Sequence, residues 1–170
     1  MKQLFESVTL NHVTFNNRII RSDTWEGIAT PDGGTTDIGY DIYEELAKGH
    51  IGGIITGFTS VADNDFYMGG MMRLSNDSLI SQHKKLVDIL HATNTPAFSQ
   101  LALGAFYKKS ASGMYHETDI NNMTKAEIHE VVDQFITAAV RAEQAGYDDV
   151  QIHIAHFFLL SRFVSPVVKY

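Results

Sequence analysis

The stretch Thr124-Lys125-Ala126-Glu127-Ile128-His129-Glu130-Val131-Val132-Asp133-Gln134-Phe135-Ile136-Thr137-Ala138-Ala139-Val140-Arg141-Ala142-Glu143-Gln144-Ala145-Gly146-Tyr147-Asp148-Asp149-Val150-Gln151-Ile152-His153 decides the fold. Thr124 followed three residues later by Glu127 is a capping box, in which each side chain satisfies a backbone N–H that the first helical turn leaves open. Ile128, Val131, Val132, Phe135, Ala138, Ala139 and Ala142 recur at helical spacing, and Ala145-Gly146 closes the helix. Four residues later the period drops to that of a strand, Val150-Gln151-Ile152-His153. A long amphipathic helix feeding a short strand through a tight turn is the repeating unit of a parallel sheet.

The same alternation runs back towards the N-terminus. Residues 96–101 form a strand that tolerates proline only at its start. Before it, Asn76-Asp77-Ser78 caps a helix carrying Leu79, Ile80, His83, Leu86, Val87 and Leu90. The glycosylation pattern in Asn76-Asp77-Ser78 is read as turn and cap only. Residues 51–56 are a compact apolar run, the mark of a strand buried on both faces. A helix from Thr36 precedes it, with Ile38, Ile42, Tyr43 and Leu46 in register and Gly49 as its stop. Residues 18–22 read as the first strand, and Val8–Leu10 with Val13–Phe15 around Asn11-His12 as a hairpin. Residues 30–34, 68–72 and 104–122 read as loops, and residues 157–164 as a short final helix.

The expected class is therefore α/β, with one domain over residues 1–170: a hairpin at about 8–15 and four βα units at about 18–166. Right-handed crossovers leave an open doubly wound sheet or half of an eight-stranded barrel. No GxGxxG follows the first strand and no Walker loop occurs, which weakens nucleotide-binding readings of the open sheet. A hairpin ahead of the first strand suits a plug for a barrel floor.

Composition narrows the function classes. The chain has 170 residues, 44% apolar and 19% charged, and no cysteine, which removes thiolate zinc sites, thiol catalysis and disulfides. A net charge of −7 disfavours a phosphate backbone as main partner. No apolar run reaches the roughly 20 residues of a membrane span, and the N-terminus lacks a secretory h-region. A cytoplasmic location is expected.

In either architecture ligands gather at the carboxyl ends of parallel strands. Those ends are Ser22-Asp23-Thr24-Trp25, Gly57-Phe58-Thr59, Gln100 and His153-Ile154-Ala155-His156. One acid among small, aromatic, amide and imidazole groups suits a flat heteroaromatic ring more than a hard metal. His153 and His156 can donate to one oxygen and stabilise charge developing on it, or they can merely satisfy backbone carbonyls. Zinc would need further ligands, and His12, His50, His83, His91, His116 and His129 fall in other elements. The Gln100 amide matches the donor–acceptor edge of a flavin or pyrimidine, or caps its strand. Gly57 permits close approach of a plane or bends the sheet. Trp25 is the single tryptophan, with core packing its commoner fate. Met68 and its neighbours suit an apolar pocket or a mobile loop. Arg18 and Arg21 fit a phosphate or an ion pair with an acid of the barrel.

Residues 152–166, with His153 and His156 at their head, closely resemble the His-x-x-His signature after the fourth strand of the old yellow enzyme family, FMN-dependent NADH:flavin oxidoreductases and ene-reductases. Leu4-Phe5, Val13-Thr14-Phe15-Asn16-Asn17-Arg18-Ile19 and residues 123–148 are similar to the same family. Arg21-Ser22-Asp23-Thr24-Trp25-Glu26-Gly27 resembles a subgroup with tryptophan after the first strand. The resemblance implies the first half of a TIM barrel. It implies FMN contacts from Ser22, Asp23, Thr24, Gly57 or Phe58, and Gln100. Trp25, His153 and His156 would then meet the substrate, with the imidazoles on its carbonyl oxygen. Hydride would pass from NAD(P)H through FMN to an electron-poor alkene or other acceptor.

The departures are specific. Phe158 stands where the family usually has a proton-donating tyrosine. Phe157 and Ile154 stand where glycine or alanine is usual, and Asp149 where a small or apolar residue is. After Pro166 the chain reads Val167-Val168-Lys169-Tyr170 in place of the family's Asn/Arg-rich run. Four βα units are half of a barrel, so strands five to eight and their phosphate-binding loops are expected to be missing. The consequent expectation is a homodimer, or association with a missing C-terminal half, with weak FMN binding by a monomer. The alternative is a catalytically impaired half-barrel that serves only as a folding or assembly module.

Overall fold

A computed structural model describes residues 3–65, 68–106, 108–109 and 112–167. Strands β1 (Val8–Leu10) and β2 (Val13–Phe15) form the antiparallel hairpin, turned by Asn11 in the left-handed region at φ 54°. Then come β3 (Ile20–Arg21), α1 (Asp37–Lys48), β4 (Gly53–Ile55), β5 (Thr59–Ser60), β6 (Met72–Arg73) and α2 (Ile80–His91). They are followed by β7 (Ala97–Ala102), β8 (Lys108–Lys109), β9 (Tyr115–His116), α3 (Lys125–Ala145), β10 (Asp149–Ile152) and α4 (Leu159–Val164).

β3, β4, β7 and β10 lie side by side in chain order, all parallel. A doubly wound sheet reverses strand order at a switch point. None occurs along this wall, so the architecture is half of a barrel. β5 carries the path of β4 onward against the upper part of β7, and the short β6 pairs outside it.

The two faces of the wall follow from the strand period of two. On β7, Ala97, Ser99 and Leu101 are fully buried beneath the helices, where Ala97 and Leu101 join Tyr43, Ile54, Leu86, Leu90, Phe135 and Ala138 in one core. The alternate residues, Phe98 and Gln100, face the other way. Phe98 stacks on Phe15 of the hairpin with ring centroids 5.6 Å apart and planes 3° apart. The hairpin thus plugs the floor of the wall's inner side. Gly53 is needed there, because a Cβ would stand 2.9 Å from the Phe15 ring.

The capping box forms as expected: Thr124 Oγ1 accepts from the Glu127 amide, and Glu127 accepts from the Thr124 amide at 2.8 Å. Asn76 caps too, but through a one-turn 3-10 segment, Asp77–Leu79, ahead of α2. α1 stops at Lys48 and Gly49, while the left-handed turn is taken by His50 at φ 56°. Two expected core positions lie outside: Ile38 and Val132 are exposed, because α1 buries Gly39, Tyr40, Tyr43 and Ala47, and α3 leaves an apolar flank of Val132, Ile136 and Val140 open. The 104–122 stretch holds the small β8–β9 ribbon and a 3-10 turn at Ile120–Asn122; Tyr107, Ser110 and Ala111 within it, and residues 168–170, lie outside the described residues. Met71 and Met72, expected in a loop, are buried.

Candidate functional site

The ladder between β7 and β10 places the site's polar groups. Gln151 is opposite Gln100, and the Gln100 Nε2 donates to Gln151 Oε1 at 2.5 Å, so both stand on the inner face. His153 is two residues further on the same side, its amide donating to Leu101 O at 2.9 Å. Gln151 was not singled out from sequence; only the register reveals it.

Past His153 the chain turns sharply. His156 and Phe157 both adopt left-handed backbone, φ 55° and 58°, a conformation costing roughly 1–2 kcal/mol per non-glycine residue. The turn is held where Phe158 N–H meets Ala155 O at 3.1 Å and Leu159 N–H meets Leu103 O at 2.9 Å. It brings His156 Nδ1 within 3.0 Å of His153 Nε2. His153 is buried, with its ring 4.3 Å from Phe158 and edge-on to Phe58 at 6.2 Å. Burial, with the nearby His156 charge, pushes the His153 imidazole below its ordinary value. Phe58, Met71, Ala102 and Phe158 form a separate apolar cluster beneath this pair.

The first strand's tip joins from the opposite end of the wall. The Phe58 amide lies close to the Asp23 carboxyl and favours its charged form. Burial pushes the carboxyl up to about 6, and Glu26 adds to this; Arg21, the Phe58 amide and His156 pull it back. Arg21 is committed to an ion pair with Glu26 and donates to Ile55 O at 3.3 Å. Of the two uses open to Arg21, the structure has the ion pair. Tyr43 of α1 donates to Glu26 and accepts from the Gly57 amide at 2.8 Å. Burial drives the Tyr43 phenol up, so it stays a neutral strut.

Gly57 is needed by this packing: a Cβ there would meet Glu26 Oε2 at 2.5 Å and Thr24 O at 2.7 Å. Thr24 Oγ1 donates to Ser22 O at 3.4 Å, and both residues are exposed. Trp25 is 43% exposed and lies over Gly27, whose missing Cβ would sit 3.1 Å from the indole. Its ring is therefore outside the core.

Three buried polar atoms at three strand tips have no hydrogen-bond partner: Asp23 Oδ1, Gln100 Oε1 and His153 Nδ1. A buried, unpaired polar atom costs about 1–3 kcal/mol. Buried atoms elsewhere, Ser99 Oγ on the helix side among them, are unpaired as well. An acceptor amide, a carboxyl and an imidazole over an apolar floor match the polar edge of a planar ring, so these tips fit one side of a flavin. Among the described residues no group of three or more His, Asp or Glu side chains could hold a metal ion, and no helix is long and apolar enough to cross a membrane.

Fold and site together define half of a parallel α/β barrel wall with amide, imidazole and carboxyl groups at its strand tips. The profile of the NADH:flavin oxidoreductase / NADH oxidase family matches residues 3–169, and the chain belongs to that family. It is 35% identical over 183 aligned positions to the NADPH dehydrogenase of Listeria monocytogenes serotype 4b, covering 99% of this chain and 53% of that protein. It is 31% identical over 182 positions to the metal reductase of Desulforamulus reducens, covering 99% of this chain and 27% of that protein. The old yellow enzyme homologue of Zymomonas mobilis superimposes with a TM-score of 0.85 at 23% identity, over 99% of this chain and 53% of that one, and supports the fold. The chain spans about half the length of the NADPH dehydrogenases it matches.

Proposed function

We propose that this chain supplies the first half of an FMN-dependent NAD(P)H oxidoreductase site acting on an electron-poor alkene or another acceptor bearing a carbonyl. The observation that carries this is the cluster at the tips of β7 and β10, where Gln100 bonds Gln151 and His153 Nε2 lies 3.0 Å from His156 Nδ1 on the inner side of the wall. Gln100 would hold the ring's N–H edge, with Ser22, Asp23, Thr24 and the Gly57–Phe58 backbone along its border. When bound, FMN would supply two-electron hydride chemistry between NAD(P)H and the acceptor.

The residues of the chain do the positioning. One imidazole donates to the other at 3.0 Å. A carbonyl oxygen entering beside the pair would replace that bond with N–H donors from both rings. Negative charge growing on the oxygen is then met by groups already in place. Phe58 and Phe158 keep water from the floor. Phe158 has no hydroxyl, so the proton for the substrate carbon must come from elsewhere. Trp25, 43% exposed, would cover the substrate.

The open edges at β3 and β10 require a second half-wall, from another copy or from the C-terminal half of a barrel, to complete the phosphate end of the site. Titration of the protein with FMN, read by quenching of flavin fluorescence, tests the reading together with a light-scattering mass. Binding that weakens about tenfold in Gln100→Ala supports it. Equal affinity in that variant refutes the ring-edge assignment. A defined dimer with no flavin binding would favour the second reading, a half-barrel serving assembly alone, to which the strained Phe157 and the hydroxyl-free Phe158 also point.

A further inference from the structure

The turn that presents His156 is made of residues that suit it poorly. Ala155 to Phe158 form a four-residue turn closed by the Phe158 amide on Ala155 O at 3.1 Å. Both central residues, His156 and Phe157, stand at positive φ, an arrangement that asparagine and glycine adopt readily and an aromatic residue does not. Both are also exposed, so core packing does not hold them in place. His153, by contrast, is buried and fixed to β7 by its amide.

One side chain grips the turn. Arg162 of α4 donates from Nε to Phe157 O at 2.8 Å, and its Nη1 is ion-paired with Glu117. The Arg162 side chain is only 12% exposed, although Glu117 lies at the surface. Glu117 stands on firm ground, since the next residue, Thr118, is buried and donates its amide to Ala105 O at 2.7 Å. Two residues on, Ile120 packs into the main core. A surface ion pair contributes little by its charge alone. The planar guanidinium adds direction, because its donors point along fixed lines to the Phe157 carbonyl and the Glu117 carboxylate together.

On the reading that the imidazole pair receives a carbonyl oxygen, we infer that Arg162 is a positioning residue for that pair. By fixing the Phe157 carbonyl it keeps the 155–158 turn left-handed, and so keeps His156 Nδ1 within 3.0 Å of His153 Nε2. It acts through the backbone, with Glu117 setting the direction of its fork. Without that grip the turn relaxes towards backbone that His and Phe prefer, and His156 leaves the buried, immobile His153.

The ring N–H shared by the two imidazoles reports this without any ligand, through its exchange with water in nitrogen-15 NMR. In the unaltered protein it should be protected. The His83 ring, bonded in the core to Tyr147 and Arg73 O, is the internal standard. Arg162→Met keeps the stem and removes every donor. It should speed exchange at the pair about tenfold or more and leave His83 unchanged. Glycine takes positive φ without strain, so adding Phe157→Gly should bring exchange back to within about threefold of the unaltered protein. Lost packing of α4 would not be repaired that way. Should Arg162→Met fail to fold, Arg162→Lys takes its place under the same criteria, since one ammonium does not reproduce the fork. The inference is overturned by exchange within about twofold of the unaltered protein, by a rise that Phe157→Gly leaves in place, or by an unprotected pair at the outset. Failure to bind FMN would refute the flavin reading and leave a positive result here standing.

Discussion

The helix side of the wall and its inner side are built on opposite terms. Beneath α1, α2 and α3 the core is mostly apolar and mutually packed, with Leu86, Leu90, Leu101, Ala138 and Ala142 fully buried beside a few polar groups such as Ser99 and His83. On the inner side, above the Phe15–Phe98 plug, the groups are polar, partly unsatisfied and held by strained backbone. The first arrangement gains its stability within these residues, whereas the second forgoes stability in a way that only a ligand or further strands can restore. Strain and unsatisfied groups gather at functional sites for this reason.

The contrast can be broken most sharply in the core. Leu86→Ala, at a side chain with no exposure, should cost about 3 kcal/mol in urea unfolding, whereas Ile136→Ser, at a side chain 57% exposed, should cost under about 0.5 kcal/mol. A large loss at Ile136 would mean that its face is covered by a partner.

His83 sharpens the comparison, because it is a polar group inside the core that is satisfied. Its ring bonds the Tyr147 hydroxyl at 2.9 Å and Arg73 O at 3.0 Å, and burial lowers its pKa to about 4. The folded state therefore binds fewer protons than the unfolded chain between about 6.5 and 4. Stability should be intact above pH 6.5 and fall by roughly 3 kcal/mol on acidification to pH 4. Circular dichroism of denaturant unfolding across that range checks it, and His83→Asn should flatten the acid slope.

Asp23, on the site side, carries the opposite sign. Its folded carboxyl keeps a proton up to about pH 6, above the ordinary carboxylate value, so it withdraws stability as pH rises through that window. Asp23→Asn should then gain on the unaltered protein between pH 4 and pH 7, by about 1 kcal/mol once solvent screening of this half-buried group is allowed for. Equal pH slopes would show that the carboxyl is not strained. A small effect is expected at Phe157, left-handed at φ 58° and 63% exposed. Phe157→Gly should stabilise by about 1 kcal/mol or less, seen as a melting point a few degrees higher.

Much of the fold was legible because its signals are local. The Thr124–Glu127 box, the Asn76 cap and the alternation of periods involve residues within one or two turns of each other, and each appears where the chain pattern puts it. Val132 and Ile38 misled because helical spacing identifies an apolar stripe but not its width or what covers it. Of the candidate residues, Gln100, His153 and His156 were legible as strand ends, and the structure sets them at the tips of two paired strands with His153 against His156. Gln151 and the Arg21–Glu26–Tyr43 network were not, since their partners lie in other elements of the chain.

What the sequence by itself determined is the class of the main elements, the order of βα units, the want of thiol chemistry and the phenylalanine at position 158. Those are properties of residue identity and of short-range sterics and hydrogen bonding. Only the tertiary structure decided that the parallel strands run in barrel order, that Arg21 is spent on Glu26, and that three polar atoms at the tips go unpaired. Solvent exclusion and electrostatic neighbours are assembled from segments up to about 130 residues apart, as Asp23 and His156 are, and no local pattern records such a meeting.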